Sequence, residues 1–146
     1  MRELPRQLSS DELAALFEGR TRFVERLARE PDPLTRAATL VLELPHDEQV
    51  EILAAHPAIG QRAGLSARSA AEQGADADPE VLAELARLNA EYEARHGFRF
   101  VVFVNRRPKA EILAALRERM GRSSDDELQT ALGELVQIAC DRWRQG

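Results

Sequence analysis

Residues 54–73 read A-A-H-P-A-I-G-Q-R-A-G-L-S-A-R-S-A-A-E-Q and interrupt a chain that on either side reads as helix after helix. The stretch places an imidazole, His56, directly before Pro57. A connector with glycines at 60 and 64 follows, and then a carboxylate beside an amide, Glu72-Gln73. His56 lies one turn beyond Ile52 and Leu53, at the end of a helical pattern. Proline disfavours the α conformation for the residue before it, so His56 is expected at the helix terminus. An imidazole in that place suits proton transfer near neutral pH. The flanking helices are read as a scaffold and the break between them as the site.

Working outward towards the N-terminus, Asp47 opens the helix that leads to His56, and Pro45 separates it from a helix carrying Leu34, Ala37, Ala38, Val41 and Leu44. Pro33 suits the first turn of that helix, after a break at Glu30-Pro31-Asp32. Phe23, Val24 and Leu27 mark a short helix before it. Ser9 and Glu12 form a capping-box pattern for the first helix, whose apolar face is Leu13, Leu16 and Phe17 and which Gly19 ends. Residues 1–8 are expected to be a loosely held arm.

Towards the C-terminus, Ser69 to Gln73 fits one helical turn closed by Gly74. Asp78 as cap and Pro79 at the first position start the next helix, which Val81, Leu82, Leu85, Leu88 and Tyr92 line and Gly97 ends. Residues 98–105, F-R-F-V-V-F-V-N, have strand-like composition but no second strand to pair with. An extended segment or short helical piece packed under the site is expected, with backbone groups left to bond a ligand. Pro108 begins another helix, with Ile112, Leu113, Leu116 and Met120 inward and Gly121 as stop. Ser124 and Glu127 read as a second capping box. The last helix sets Leu128, Leu132, Leu135, Ala139 and Arg142 on one stripe, so a guanidinium continues an apolar face.

With 146 residues, 44% apolar and 31% charged, one soluble helical domain with one core is expected. The net charge is -5, Lys109 is the only lysine, and no segregated basic face points to nucleic acid. Cys140 stands alone, so no disulfide closes within the chain; it falls in an apolar helical stretch and is read as a buried, inert thiol. No apolar run approaches the ~18 residues of a membrane span. The N-terminus lacks a signal-peptide pattern and the chain ends W-R-Q-G, so the expected location is cytoplasmic.

Each candidate residue has a plain reading beside the functional one. A histidine at a helix end more often serves as a structural hydrogen-bonder than as a catalyst. Ser69-x-x-Glu72 is itself a capping box, which would spend the carboxylate on the backbone. Arg142 either snorkels to water or points into a pocket, where its planar fork suits an oxygen ligand. The other arginines are read as solvated helix faces, and His46 and His96 as surface residues. Three histidines without metal-ligand spacing argue against structural zinc.

Taken together, these residues resemble a family, the OHCU decarboxylases, which convert 2-oxo-4-hydroxy-4-carboxy-5-ureidoimidazoline to S-allantoin at the end of urate oxidation. E-I-L-A-A-H-P-A-I-G resembles the family's His-Pro segment, and S-A-A-E-Q-G-A its Ser-x-x-Glu-Gln element. L-N-A-E-Y-E-A-R-H-G-F-R-F-V-V resembles its Asn-x-x-Tyr followed by Phe-Gly-Phe-Pro-Phe-Val. L-F-E-G-R-T-R-F-V-E-R-L-A is similar to its N-terminal helices, and A-E-I-L-A-A-L-R-E-R-M and L-V-Q-I-A-C-D-R-W to its last two.

The resemblance implies a single all-α multi-helix bundle over residues 1–146, commonly a homodimer, that acts on a small molecule without metal or organic cofactor. It implies that His56 and Glu72 are catalytic, His56 as acid/base, and that Pro57 shapes the pocket wall. Ser69 and Gln73, with Glu72, would hold the ureido and ring polar groups. Backbone groups of Val101, Val102, Phe103 and Val104 would bond the heterocycle, and Arg142 would reach a substrate oxygen. The chain departs from the family's pattern where His-Pro-Asp-Leu reads His56-Pro57-Ala58-Ile59, where Gly74-Ala75-Asp76 follows Glu-Gln, and where Phe-Gly-Phe-Pro-Phe reads His96-Gly97-Phe98-Arg99-Phe100. An Arg-Pro-Phe element has become Glu30-Pro31-Asp32. Two other readings stay open: a relative acting on another small ureide or carboxylated heterocycle, and a helical binding module without turnover.

Overall fold

The computed structural model describes residues 3–59 and 78–146. Its seven described helices are α1 (Ser10–Leu16), α2 (Arg22–Leu27), α3 (Pro33–Glu43), α4 (His46–Ala54), α5 (Pro79–His96), α6 (Lys109–Met120) and α7 (Ser124–Gln145). No strand occurs among the described residues, so the all-α expectation holds. No described helix is long and apolar enough to cross a membrane.

The local signals act as the sequence suggests. Ser9 and Glu12 close a reciprocal capping box on α1, satisfying two otherwise orphaned amides. Pro33 and Pro79 occupy first-turn positions of α3 and α5, where a missing N–H costs nothing. Gly97 ends α5 with φ +80, a left-handed conformation that glycine adopts without a Cβ clash.

Helix α7 is the spine. Its buried stripe, Ala131, Leu132, Leu135, Val136, Ile138, Ala139 and Arg142, meets α1, α3, α4 and α5, while α6 packs along α5. Phe17 and Phe23 meet edge to face at 5.4 Å under the α1–α2 turn and are fully buried. Truncating either to alanine would cost about 3–5 kcal/mol through lost transfer energy and the cavity left behind.

Residues 98–104 run extended, as expected, and pair with no strand among the described residues; Phe98, Phe100, Val101, Val102 and Val104 are buried. A buried polar knot holds this segment. The carboxylate of Glu127, fully buried, accepts from Tyr92 Oη (2.6 Å), Arg119 Nε (2.7 Å) and Arg122 Nη1 (2.9 Å). Arg119 also donates to the Val101 carbonyl at 3.0 Å and stacks over the Phe100 ring. Burial and then the Glu127 bond push the Tyr92 hydroxyl up, so it stays a donor.

Four expectations need correction. The cap of α7 is Ser123, which accepts from the Asp126 amide; Ser124 and Glu127 are drawn instead into tertiary contacts. His96 is buried, not a surface residue: its Nδ1 lies 2.7 Å from Ser124 Oγ and its ring packs on Tyr92. Arg119 is likewise no solvated face. Residues 3–8, expected to be loosely held, are tied at three points: Leu8 is buried, Trp143 Nε1 donates to the Glu3 carbonyl, and the Asp32 amide donates to the Arg6 carbonyl. Cys140, expected to be buried, is half-buried; the burial it has raises its thiol pKa and so disfavours the reactive thiolate.

Candidate functional site

The site is built around the end of α4. That helix stops at Ala54, Ala55 caps it, and the His56 amide donates to the Leu53 carbonyl at 3.2 Å. Pro57 has no amide to continue the ladder, which is why the chain leaves the helix here. His56 Nδ1 faces the Ile52 carbonyl at 3.4 Å. A carbonyl only accepts, so this contact assigns the ring proton to Nδ1 and leaves a lone pair on Nε2. Nε2 is buried and has no hydrogen-bond partner among the described residues.

Burial first, then the positive charge of Arg142, hold the His56 pKa down from 6.5 to about 4. The Ile52 carbonyl and the Glu18 carboxylate act in the opposite direction, and Arg99 lowers it further. A helix C-terminus favours an imidazolium by about 0.3–2 kcal/mol. Desolvation outweighs that here, so the ring is neutral at pH 7.

Arg142 comes from the last turns of α7 and is 4% exposed. Its stem continues the apolar stripe, but its head turns inward. Nη1 donates to the Leu16 carbonyl at 3.1 Å and Nη2 to Glu18 Oε1 at 2.8 Å. Snorkelling is therefore excluded. Glu18 is in the left-handed region, φ 63, an unusual backbone for a non-glycine residue that the Arg142 ion pair helps hold. The α1–α2 turn thus presents a carboxylate to the same centre as His56.

Two further contacts frame the turn. Arg99 donates through Nη1 to the carbonyls of Ala54 (3.1 Å) and His56 (2.6 Å), and through Nε to Glu93 Oε1 (3.0 Å). Asn89 Nδ2 donates to the Ile59 carbonyl at 3.0 Å, tying the chain beyond Pro57 to α5.

Of the residues singled out from sequence, His56 and Arg142 are brought into one electrostatic centre, with Pro57 half-buried beside it. The segment from Val101 to Val104 is joined to the His56 turn through Arg99. Its backbone is more occupied than the unpaired-strand argument suggests. Arg119 takes the Val101 carbonyl, Arg107 takes those of Phe103 and Val104, and the Phe103 amide serves Glu134. The amides of Val101, Val102 and Val104 and the carbonyl of Val102 bond no described residue. Ser69, Glu72 and Gln73 lie outside the described residues. Glu18, Asn89 and Arg99 were missed as site residues; the one local signal was a charge, Arg99, inside the apolar run 98–104. Among the described residues no group of three His, Cys, Asp or Glu side chains stands close enough to hold a metal.

A buried neutral imidazole with one nitrogen fixed and the other unbonded to any described residue, in the field of a guanidinium, suits proton transfer to and from an anionic or carbonyl-bearing small molecule.

Known proteins bear on this centre. The family profile described as OHCU decarboxylase matches residues 2–144. A Haloferax volcanii protein named 2-oxo-4-hydroxy-4-carboxy-5-ureidoimidazoline decarboxylase is 37% identical over 98 residues, 64% of this chain, which spans 58% of that protein's length. The protein of the same name from Amia calva is 32% identical over 133 residues, covering 86% of this chain and 73% of the relative. Among solved structures, the crystal structure of an OHCU decarboxylase in the presence of (S)-allantoin superposes with TM-score 0.77 at 23% identity, covering 92% of this chain and 96% of that one.

Proposed function

Because this chain belongs to the OHCU decarboxylase family, we propose that it removes carbon dioxide from 2-oxo-4-hydroxy-4-carboxy-5-ureidoimidazoline to give (S)-allantoin in urate breakdown. The observation that carries the reading is the buried, neutral His56, with Nε2 open, in the field of Arg142.

The substrate bears a hydroxyl and a carboxylate on one ring carbon and the ureido group on its neighbour. When the bond to the carboxylate breaks, its electron pair moves into the ring and is delocalised towards the neighbouring imine nitrogen. The hydroxyl then gives up a proton as the carbonyl forms, the ureido-bearing carbon gains one, and the former imine nitrogen, left negative by the electron pair, takes a further proton from water. His56 Nε2 takes the hydroxyl proton and, once charged, returns a proton to carbon. A site that holds the imidazolium near pKa 4 makes it a strong acid for the second step. The anionic substrate, bound beside the ring, raises the pKa towards neutrality and so aids the first. The Arg142 fork, prealigned by Glu18 and the Leu16 carbonyl, orients the carboxylate or carbonyl oxygen and stabilises charge as it develops.

In this reading Pro57 walls the pocket on one side. The backbone groups of Val101, Val102 and Val104 that bond no described residue, alongside Phe103, meet the ring polar atoms. Ser69, Glu72 and Gln73 hold the ureido end, with Glu72 sharing the catalytic work; their support is the resemblance of the Ser-x-x-Glu-Gln stretch. The proton reaches carbon from the His56 side only, which sets the product's hand. We place the enzyme in the cytoplasm, as one domain that assembles into a homodimer; sedimentation equilibrium giving a monomer would remove the dimer.

To test the activity, the substrate is generated in place with urate oxidase and hydroxyisourate hydrolase, and optically active allantoin is followed by circular dichroism. Added protein should speed its appearance. An unchanged rate, or racemic product alone, would reject the proposal.

A further inference from the structure

We infer that Arg99 is the positioning residue for His56, fixing the backbone of the histidine turn so that Nε2 points where a proton must be exchanged. The inference rests on the reading of His56 as the proton carrier. A helix leaves its last four carbonyls without intrahelical partners, and those next to a functional side chain are satisfied by something or stay mobile. Here the following residue is Pro57, which offers no N–H. Arg99 Nη1 supplies the missing donor to Ala54 and to His56 itself, at 3.1 and 2.6 Å.

The guanidinium is itself anchored. Its Nε donates to Glu93 on the last turns of α5; the Arg99 side chain is 28% exposed and that of Glu93 41%, so the pair is part-buried. Arg99 also sits in the segment that runs on to Val101 and Val102, whose free amides face no described partner. One planar side chain therefore sets the spacing between the His56 turn, the end of α5 and the extended segment.

His56 then carries two restraints of different kind. Arg99 fixes the main chain, hence the direction of Cα–Cβ, and the Ile52 carbonyl fixes ring rotation through Nδ1. Nε2 alone is left for chemistry. The charged groups acting on the ring among the described residues are Arg142 from α7, Glu18 from the α1–α2 turn and Arg99. Arg99 is the one whose hydrogen bonds reach the histidine's own backbone. Misplacing a reacting group by about 1 Å costs roughly 10²-fold in rate, so a restraint at this point is visible in turnover.

The test uses the full chain with three variants: Arg99→Met, Arg99→Lys and Glu93→Gln. Arg99→Met is expected to lower kcat by about 10²-fold with KM changed little, and to move the acid limb of kcat/KM to higher pH because a cation leaves the ring's surroundings. Arg99→Lys keeps the charge but not the fork, so the acid limb stays while kcat recovers only in part. Glu93→Gln, which loosens the anchor alone, gives a smaller kcat loss. Thermal melts report the folded fraction, and kcat is taken per folded molecule. In parallel, NMR of 15N-histidine protein follows His56: Arg99→Met should raise its pKa and broaden its signal while His46 stays unchanged. An Arg99→Met protein with unchanged kcat per folded molecule, or an unmoved His56 signal, overturns the inference. If wild type itself fails to turn over the ureidoimidazoline, the proposed function falls, and the NMR comparison still decides the role of Arg99.

Discussion

The low pKa of His56 makes a quantitative prediction about stability. In the unfolded chain the imidazole titrates at its ordinary 6.5; in the fold, burial and then Arg142 hold it at about 4. At pH 7 both states are neutral and the difference contributes nothing. As the pH falls through 6.5, the unfolded chain takes up a proton that the folded chain refuses. Stability therefore drops, with a limiting slope of about 1.36 kcal/mol per pH unit, until the folded ring also titrates near pH 4. The gap of 2.5 units gives a total loss on the order of 3 kcal/mol, a large share of the about 5–15 kcal/mol that holds a domain together. No discount for solvent screening applies, since the ring is 4% exposed. Carboxylates also titrate in this window, so the comparison is made against His56→Gln, in which their contribution is shared. Urea denaturation of both proteins, followed by circular dichroism at intervals from pH 7 to pH 4, gives the difference directly. The stability of wild type minus variant should fall by about 3 kcal/mol over that range. A difference independent of pH would refute the burial argument, and with it the depressed pKa assigned to the ring.

Three further outcomes follow from other contacts. Glu127→Gln removes the counter-charge of the buried Arg119 and should cost about 3–5 kcal/mol, read as a Tm lowered by roughly 10 °C. Glu18→Gln removes the Glu18 ion pair from Arg142; stability falls by about 2 kcal/mol, and the His56 pKa, measured by NMR, moves below its present value because a group that raises it is gone. Gly97→Ala meets no atom within 4 Å, so its cost is backbone strain at φ +80 alone. That is about 1 kcal/mol, a Tm drop of a few degrees, with activity intact.

What was legible in the sequence is what depends on neighbours along the chain. The Ser9–Glu12 box, Pro33, Pro79 and Gly97 act within a turn of their own position, and the α7 stripe needs only the helical period. Arg142 was legible because a charge continued that stripe. Illegible were choices settled by distant partners. Ser123-x-x-Asp126 and Ser124-x-x-Glu127 match one pattern equally well; the first is the cap because Glu127 is claimed by Tyr92 and Arg119 from other helices. Tyr92 and Phe98 lie beside His96 along the chain, but Ser124, which takes its Nδ1, reaches it only after α5 and α7 pack. Glu18 reaches Arg142 across 124 residues and Arg99 reaches the His56 carbonyl across 43, separations that no short pattern encodes.

The central claim is that the His56 imidazole moves the proton, and kcat/KM for formation of optically active allantoin measures it most directly. His56→Gln keeps a polar side chain of similar reach but cannot carry a proton at neutral pH. The account predicts that this variant, folded at pH 7, loses roughly 10²–10⁴-fold in kcat/KM against wild type. A variant that retains wild-type kcat/KM and still delivers a single hand of allantoin would contradict it.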